Sequence, residues 1–212
     1  MNTYEKNNRV ILKGKVCELP AYSHTVLGEG FYEFILEVPR LSDEADKIPV
    51  TISERLMGNG LNIGDVIAID GQFRSYNKVD GTKSRLMLTV FVREIIDIVD
   101  CDSYNEIDLS GFVCKEPVYR TTPFGREITD LLLAVNRAYN KSDYLPCITW
   151  GRNAKFASEL QVGEKVELKG RIQSREYQKK VNGEKLETRT AYEISVTSLQ
   201  LPYLDQDEEV AN

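Results

Sequence analysis

Residues 12–53 and 109–150 carry one pattern at a fixed offset of 97. Leu12/Leu109, Gly14/Gly111, Val16/Val113, Cys17/Cys114, Pro20/Pro117 and Tyr22/Tyr119 coincide. So do Thr25/Thr122, Gly28/Gly125, Leu36/Leu133, Val38/Val135, Arg40/Arg137, Asp46/Asp143 and Pro49/Pro146. These are 13 identities in 42 ungapped positions, where chance at ordinary residue frequencies gives about two or three. With small gaps the correspondence continues through Gly64/Gly163, Gly71/Gly170, Ser75/Ser174, Asp80-Gly81/Asn182-Gly183 and Arg85/Arg189. A period near 100 residues is the size of a domain, not of a solenoid unit. The 212 residues are therefore expected to form two copies of one domain, over 1–98 and 106–202. A linker is expected over 97–106 and an acidic, disordered tail over 203–212.

Each copy reads as strand. In the second, 107–114 and 128–136 are rich in β-branched and apolar residues, and 144–150 alternates. The stretches 165–178 and 188–199 form a long pair with a hairpin signal at Asn182-Gly183. One short helix fits 152–160. The fold class is all-β: two tandem five-stranded barrels, each with one helix after its third strand, which is the OB-fold (oligonucleotide-binding) arrangement.

Composition removes several alternatives. No apolar run is long enough for a membrane helix, and the N-terminus has no signal core, so a cytoplasmic protein is expected. The four cysteines, Cys17, Cys101, Cys114 and Cys147, form no C-x-x-C pair, and His24 is the one histidine. Neither a metal site nor a cofactor is expected. Gly28-Glu29-Gly30 lacks the context of a phosphate loop, and His24 near Ser23 lacks that of a nucleophile elbow. No catalytic cluster supports an enzyme. The net charge of −6 hides an uneven spread: the second copy is positive, while the first copy and the tail are negative.

The repeat orients the side chains. Lys47-Ile48-Pro49-Val50-Thr51-Ile52-Ser53 alternates cleanly, so Ile48, Val50 and Ile52 point inward. The alignment then puts Leu145, Cys147 and Thr149 inside and Tyr144, Ile148 and Trp150 outside. In the next strand Val166, Leu168 and Ile172 share the inner parity, leaving Arg171, Gln173, Arg175 and Tyr177 outside. Aromatics interleaved with cations are what a single nucleic-acid strand requires, because bases stack on rings and cations follow the phosphates. The alternative is that these aromatics pack against a partner subunit or the other barrel. The first copy has Lys47, Thr51 and Ser53 at the matching places, with Arg74 and Tyr76 on the outer face of its next strand.

Four blocks, in order, resemble the bacterial single-stranded DNA-binding protein family. They are Glu116-Pro117-Val118-Tyr119-Arg120-Thr121-Thr122-Pro123-Phe124-Gly125, Leu131-Leu132-Leu133-Ala134-Val135-Asn136-Arg137, Asp143-Tyr144-Leu145-Pro146-Cys147-Ile148-Thr149-Trp150-Gly151-Arg152, and 167–177. The resemblance implies an OB fold that binds and protects single-stranded DNA in replication, recombination or repair. It implies base stacking on Tyr144, Trp150 and Tyr177, with basic contacts from Arg120, Arg137, Arg152, Arg171 and Arg175. It also implies four barrels per assembly, hence a homodimer of this chain, and association with the nucleoid. Three family features are missing: the aromatic at the position of Thr121, the long Gly/Pro/Gln-rich linker, and the acidic tip ending in Pro-Phe that recruits replication and repair proteins. A second reading, favoured by the missing tip, is a primosome-type adaptor that bridges proteins and binds DNA secondarily.

Overall fold

The computed structural model describes residues 7–58, 60–81, 83–99, 101–181 and 185–202. The first copy runs β1 (Asn8–Val16), β2 (Ala21–Val26), β3 (Glu29–Pro39), β4 (Ala45–Ser53), α1 (Glu54–Met57), β5 (Val66–Asp80) and β6 (Lys83–Ile96). The second repeats that order as β7 (Tyr104–Val113), β8 (Val118–Thr121), β9 (Glu127–Arg137), β10 (Lys141–Trp150), α2 (Arg152–Ser158), β11 (Lys165–Val181) and β12 (Lys185–Gln200). The connection between copies is shorter than the expected 97–106, since β6 ends at Ile96 and β7 begins at Tyr104. The Lys13 ammonium holds it by donating to the carbonyls of Ile98 and Cys101.

Each closed ring has the expected five members. In the first copy these are β1, β5, β6, β4 and β3, joined by the parallel β4–β6 pair and the short β1–β3 pair. The sixth strand of each copy, β2 or β8, is an addition to the ring's edge, pairing with β3 or β9. Both are exposed along their whole length. With no buried face they leave no period-two pattern to read. The Asp80-Gly81 hairpin is present, Gly81 having a φ of 60°. Its counterpart at Asn182-Gly183, and the acidic tail, lie outside the described residues.

One edge of β1 serves two neighbours, β7 from Asn8 to Lys13 and β3 at Lys15 and Val16, so β1 bends between them. A Cβ at Gly14 would sit 2.3 Å from the Glu37 carbonyl oxygen, and one at Gly111 2.9 Å from that of Ala134. Glycine at these repeat-equivalent places lets β1 and β7 turn the barrel corner. The core is the inward set: Ile48, Val50, Ile52, Leu145, Cys147, Val166, Leu168 and Ile172 are all buried. Ile148 departs from expectation, being buried on the outer parity and outside the core cluster.

The whole forms one 12-stranded sheet in the order β2-β3-β4-β6-β5-β1-β7-β11-β12-β10-β9-β8. That order reads the same from either end when the copies are exchanged. At its centre β1 and β7 pair antiparallel, from Asn8 opposite Leu109 to Lys13 opposite Tyr104. Val10 faces its own repeat-equivalent, Ile107, so a pseudo-two-fold axis passes between them. At the start of β1, where the pairing with β5 ends while that with β7 continues, a side chain replaces the ladder. Asn8 Nδ2 donates to the Phe73 carbonyl at 2.7 Å, and the Phe73 N–H donates to Asn8 Oδ1 at 3.0 Å. Asn105 does the same for Ile172, at 2.8 and 2.9 Å.

Candidate nucleic-acid interface

Trp150 closes β10, and Gly151, at a φ of 56°, turns the chain into α2. Two buried threonines fix that corner. Thr129 Oγ1 donates to the Ala154 carbonyl at 2.7 Å and Thr149 Oγ1 to that of Thr129 at 3.1 Å. Trp150 is thus presented on a rigid element, 36% exposed. Tyr144, 46% exposed, lies six residues earlier on the same strand, about 20 Å away at strand rise. Across the sheet, Ile148 pairs with Ser195 and Ser195 with Arg171. Further along β11, Arg175 stands opposite Ala191 and the exposed Tyr177 opposite Arg189. The outer surface of β10, β12 and β11 therefore carries Tyr144, Trp150, Tyr177 and Arg175 on one continuous face.

The remaining arginines divide by partner. Arg120 on β8 is paired with Asp130 on β9 at 2.8 Å, beside the aromatic face. Next to that pair, Tyr119 donates its hydroxyl to Glu127 at 2.7 Å, and this bond holds the Glu127 carboxyl below its ordinary range. Arg175 reaches Glu193 at 3.8 Å. Arg152 is exposed at the start of α2.

Arg171 is turned elsewhere. Its guanidinium meets Asp46 of the first barrel at 2.9 Å, where Arg40 Nε also donates at 2.9 Å and the Ser174 N–H at 2.7 Å. It belongs to the junction between barrels rather than to the open face. Arg137 lies at the other, pseudo-symmetric junction, 3.5 Å from Asp143. The Ser75 N–H donates to Asp143 at 2.7 Å, as Ser174 does to Asp46. Burial pushes the Asp143 carboxyl above its ordinary range.

The first barrel has aromatic surface that strand parity alone did not reveal. The Arg74 guanidinium carbon lies 3.8 Å from the centre of the Phe91 ring. Phe91 contacts Phe31 at 5.6 Å between centroids, and His24 stacks on Phe31 at 5.1 Å. Phe91 pairs with Thr51 as Ser195 pairs with Ile148, so the repeat gives no hint of a ring there. Burial and the neighbouring Arg137 push the Arg74 pKa down to about 10. Tyr76 is exposed, its hydroxyl 3.5 Å from Glu33.

Comparison with known proteins converges on one family. A family model described as the single-strand binding protein family matches residues 104–202. The single-stranded DNA-binding protein of Clostridium tetani is 34% identical over 83 residues, covering 36% of this chain and 57% of that one. Single-stranded DNA-binding protein A of Bacillus subtilis is 35% identical over 81 residues, covering 35% and 47%. The chain thus spans about half the length of these relatives. It spans 73% of single-stranded DNA-binding protein B of the same organism, at 34% identity over 82 residues that make up 35% of this chain. The crystal structure of wild-type single-stranded DNA-binding protein from Thermus aquaticus covers 92% of this chain and 92% of its own, with a TM-score of 0.71 and 24% identity. That likeness shows the fold of both barrels, and the sequence relatives supply the lineage: the chain belongs to the single-strand binding protein family.

Proposed function

We propose that this protein binds single-stranded DNA with little sequence preference and shields it during replication, recombination or repair. The observation that carries this reading is the rigid outer face holding Tyr144, Trp150 and Tyr177 with Arg175 between them. Every base has a π-face, so stacking on such rings tolerates any sequence. Arg120, Arg137 and Arg152 border the face and add phosphate contacts, with Arg74 and Tyr76 extending it onto the first barrel. Arg171 acts on this face indirectly, by fixing β11 against Asp46. The two barrels, 1–98 and 106–202, work as one pair, and two chains associate to give four barrels. The protein acts without chemical catalysis, among nucleoid DNA.

The family's base-stacking mode gives a direct test, because the chain has a single tryptophan. Oligo-dT should quench Trp150 fluorescence, duplex of equal length should not, and the effect should weaken as salt rises. Equal quenching by duplex, or none by either, removes the single-strand reading.

A further inference from the structure

The two pseudo-symmetric junctions are built from equivalent residues, but their acids are not equally satisfied. At the first, Asp46 accepts from Arg40 Nε and Nη2, from Arg171 Nη1 and from the Ser174 N–H. At the second, Asp143 accepts from the Ser75 N–H, but its Oδ2 has no hydrogen-bond partner. Arg137 Nε faces that oxygen as an ion pair at 3.5 Å without a hydrogen bond, and the buried Arg74 Nε has no hydrogen-bond partner among the described residues. The cause lies in two positions. The second barrel has Arg171 and Gln173 on the outer face of β11, while the first has Gln72 and Arg74 at the same places. The pair is kept, since each arginine donates to its glutamine neighbour, but its order is reversed. Arginine in the Arg171 position reaches across and closes the acid. Gln72 has no charge to offer, and Arg74 lies over Phe91 instead.

What remains is a cavity of about 320 Å³ lined by Arg74, Ser75, Tyr76 and Phe91 of the first barrel and Arg137 of the second. Glu33 also lines it, its carboxylate accepting from the hydroxyls of Ser23 at 2.9 Å and Tyr76 at 3.5 Å. Two guanidinium groups line this one cavity, and arginine forks match the geometry of a phosphate. We infer that this junction is a phosphate site, in which Arg74 and Arg137 together hold one backbone phosphate of a single strand as it passes from one barrel to the other. The inference rests on the proposed single-strand binding.

The test is the salt dependence of binding to labelled oligo-dT, read by anisotropy so that Trp150 plays no part. Losing one single-strand phosphate contact makes the slope of log K against log salt shallower by about 0.7. Arg74→Gln and Arg137→Gln should each show that change, and the double variant no more than either, because they share one phosphate. Arg74→Lys keeps the charge and should keep the slope, which guards against a folding defect. Arg40→Gln, at the junction whose acid is fully hydrogen-bonded, should lower the melting temperature yet leave the slope alone. An unchanged slope in Arg74→Gln overturns the site, as does a slope lost equally in Arg40→Gln. Inorganic phosphate at constant ionic strength should not displace the strand. Displacement that Arg74→Gln abolishes would assign the cavity to the free ion instead. A wild-type protein that binds no oligo-dT would remove the functional reading itself, and the wild-type curve alone shows that.

Discussion

Trp150 and Tyr177 are each 36% exposed, so most of each ring rests on the barrel while one part faces outward. Removing either ring should cost about 1–3 kcal/mol of oligo-dT binding, the usual worth of one stacked base. The melting temperature should fall by less than it does for a core truncation, which costs about 2–5 kcal/mol. Tyr76→Ala should cost less binding than either. Affinity and melting measured together on the three variants check this, and the reverse ranking would make the first barrel the working one. Strand parity was enough to find Tyr144, Trp150 and Tyr177, because alternation reports which way a side chain leaves the sheet. It says nothing of what the side chain then meets. Arg171 shares their parity but reaches an aspartate 125 residues away, a partner fixed by how the barrels dock. The Arg74–Phe91 contact escaped for the same reason, since it depends on which strands lie side by side.

The elements most legible were those with one face in the core. β4 and β10 announced themselves by alternation. β2 and β8 were not legible, because an exposed edge strand imposes no pattern on its side chains. The start of β1 offers a test of how a ladder is completed where its backbone pairing stops. Asn8 is 3% exposed and supplies both hydrogen bonds that Phe73 lacks from the ladder. Asn8→Ala strands a buried N–H and a buried carbonyl, so stability should fall by about 1–3 kcal/mol or more in denaturant titration. Asn105→Ala should lose a similar amount at Ile172. A change near zero in both would mean that β5 and β11 do not rely on these side chains to complete their ladders.

In the whole molecule the two barrels share one sheet, and buried charge fixes how they meet. Asp46 is 1% exposed and serves two arginines from opposite barrels. Breaking such a buried pair by deleting one partner costs about 3–5 kcal/mol. Asp46→Ala should approach that loss, while Asp143→Ala, whose acid is only half satisfied, should lose less; thermal melting of the two variants compares them. Light scattering should report a species near twice the 24.1 kDa chain mass, and a monomer throughout the micromolar range would refute the four-barrel assembly. The duplication was readable because sequence identity survives at fixed spacing, but the way the copies face each other was not, since Val10 opposite Ile107 is a tertiary choice. That choice has a chemical consequence. A nucleic-acid strand has distinct 5′ and 3′ ends, and barrels related by a two-fold axis present their surfaces in opposite directions. A strand threaded through both meets one barrel 5′ to 3′ and the other 3′ to 5′. Two separate identical subunits must read both directions with the same side chains. Two copies fused in one chain need not, and in this chain β5 and β11 carry arginine and glutamine in reversed order.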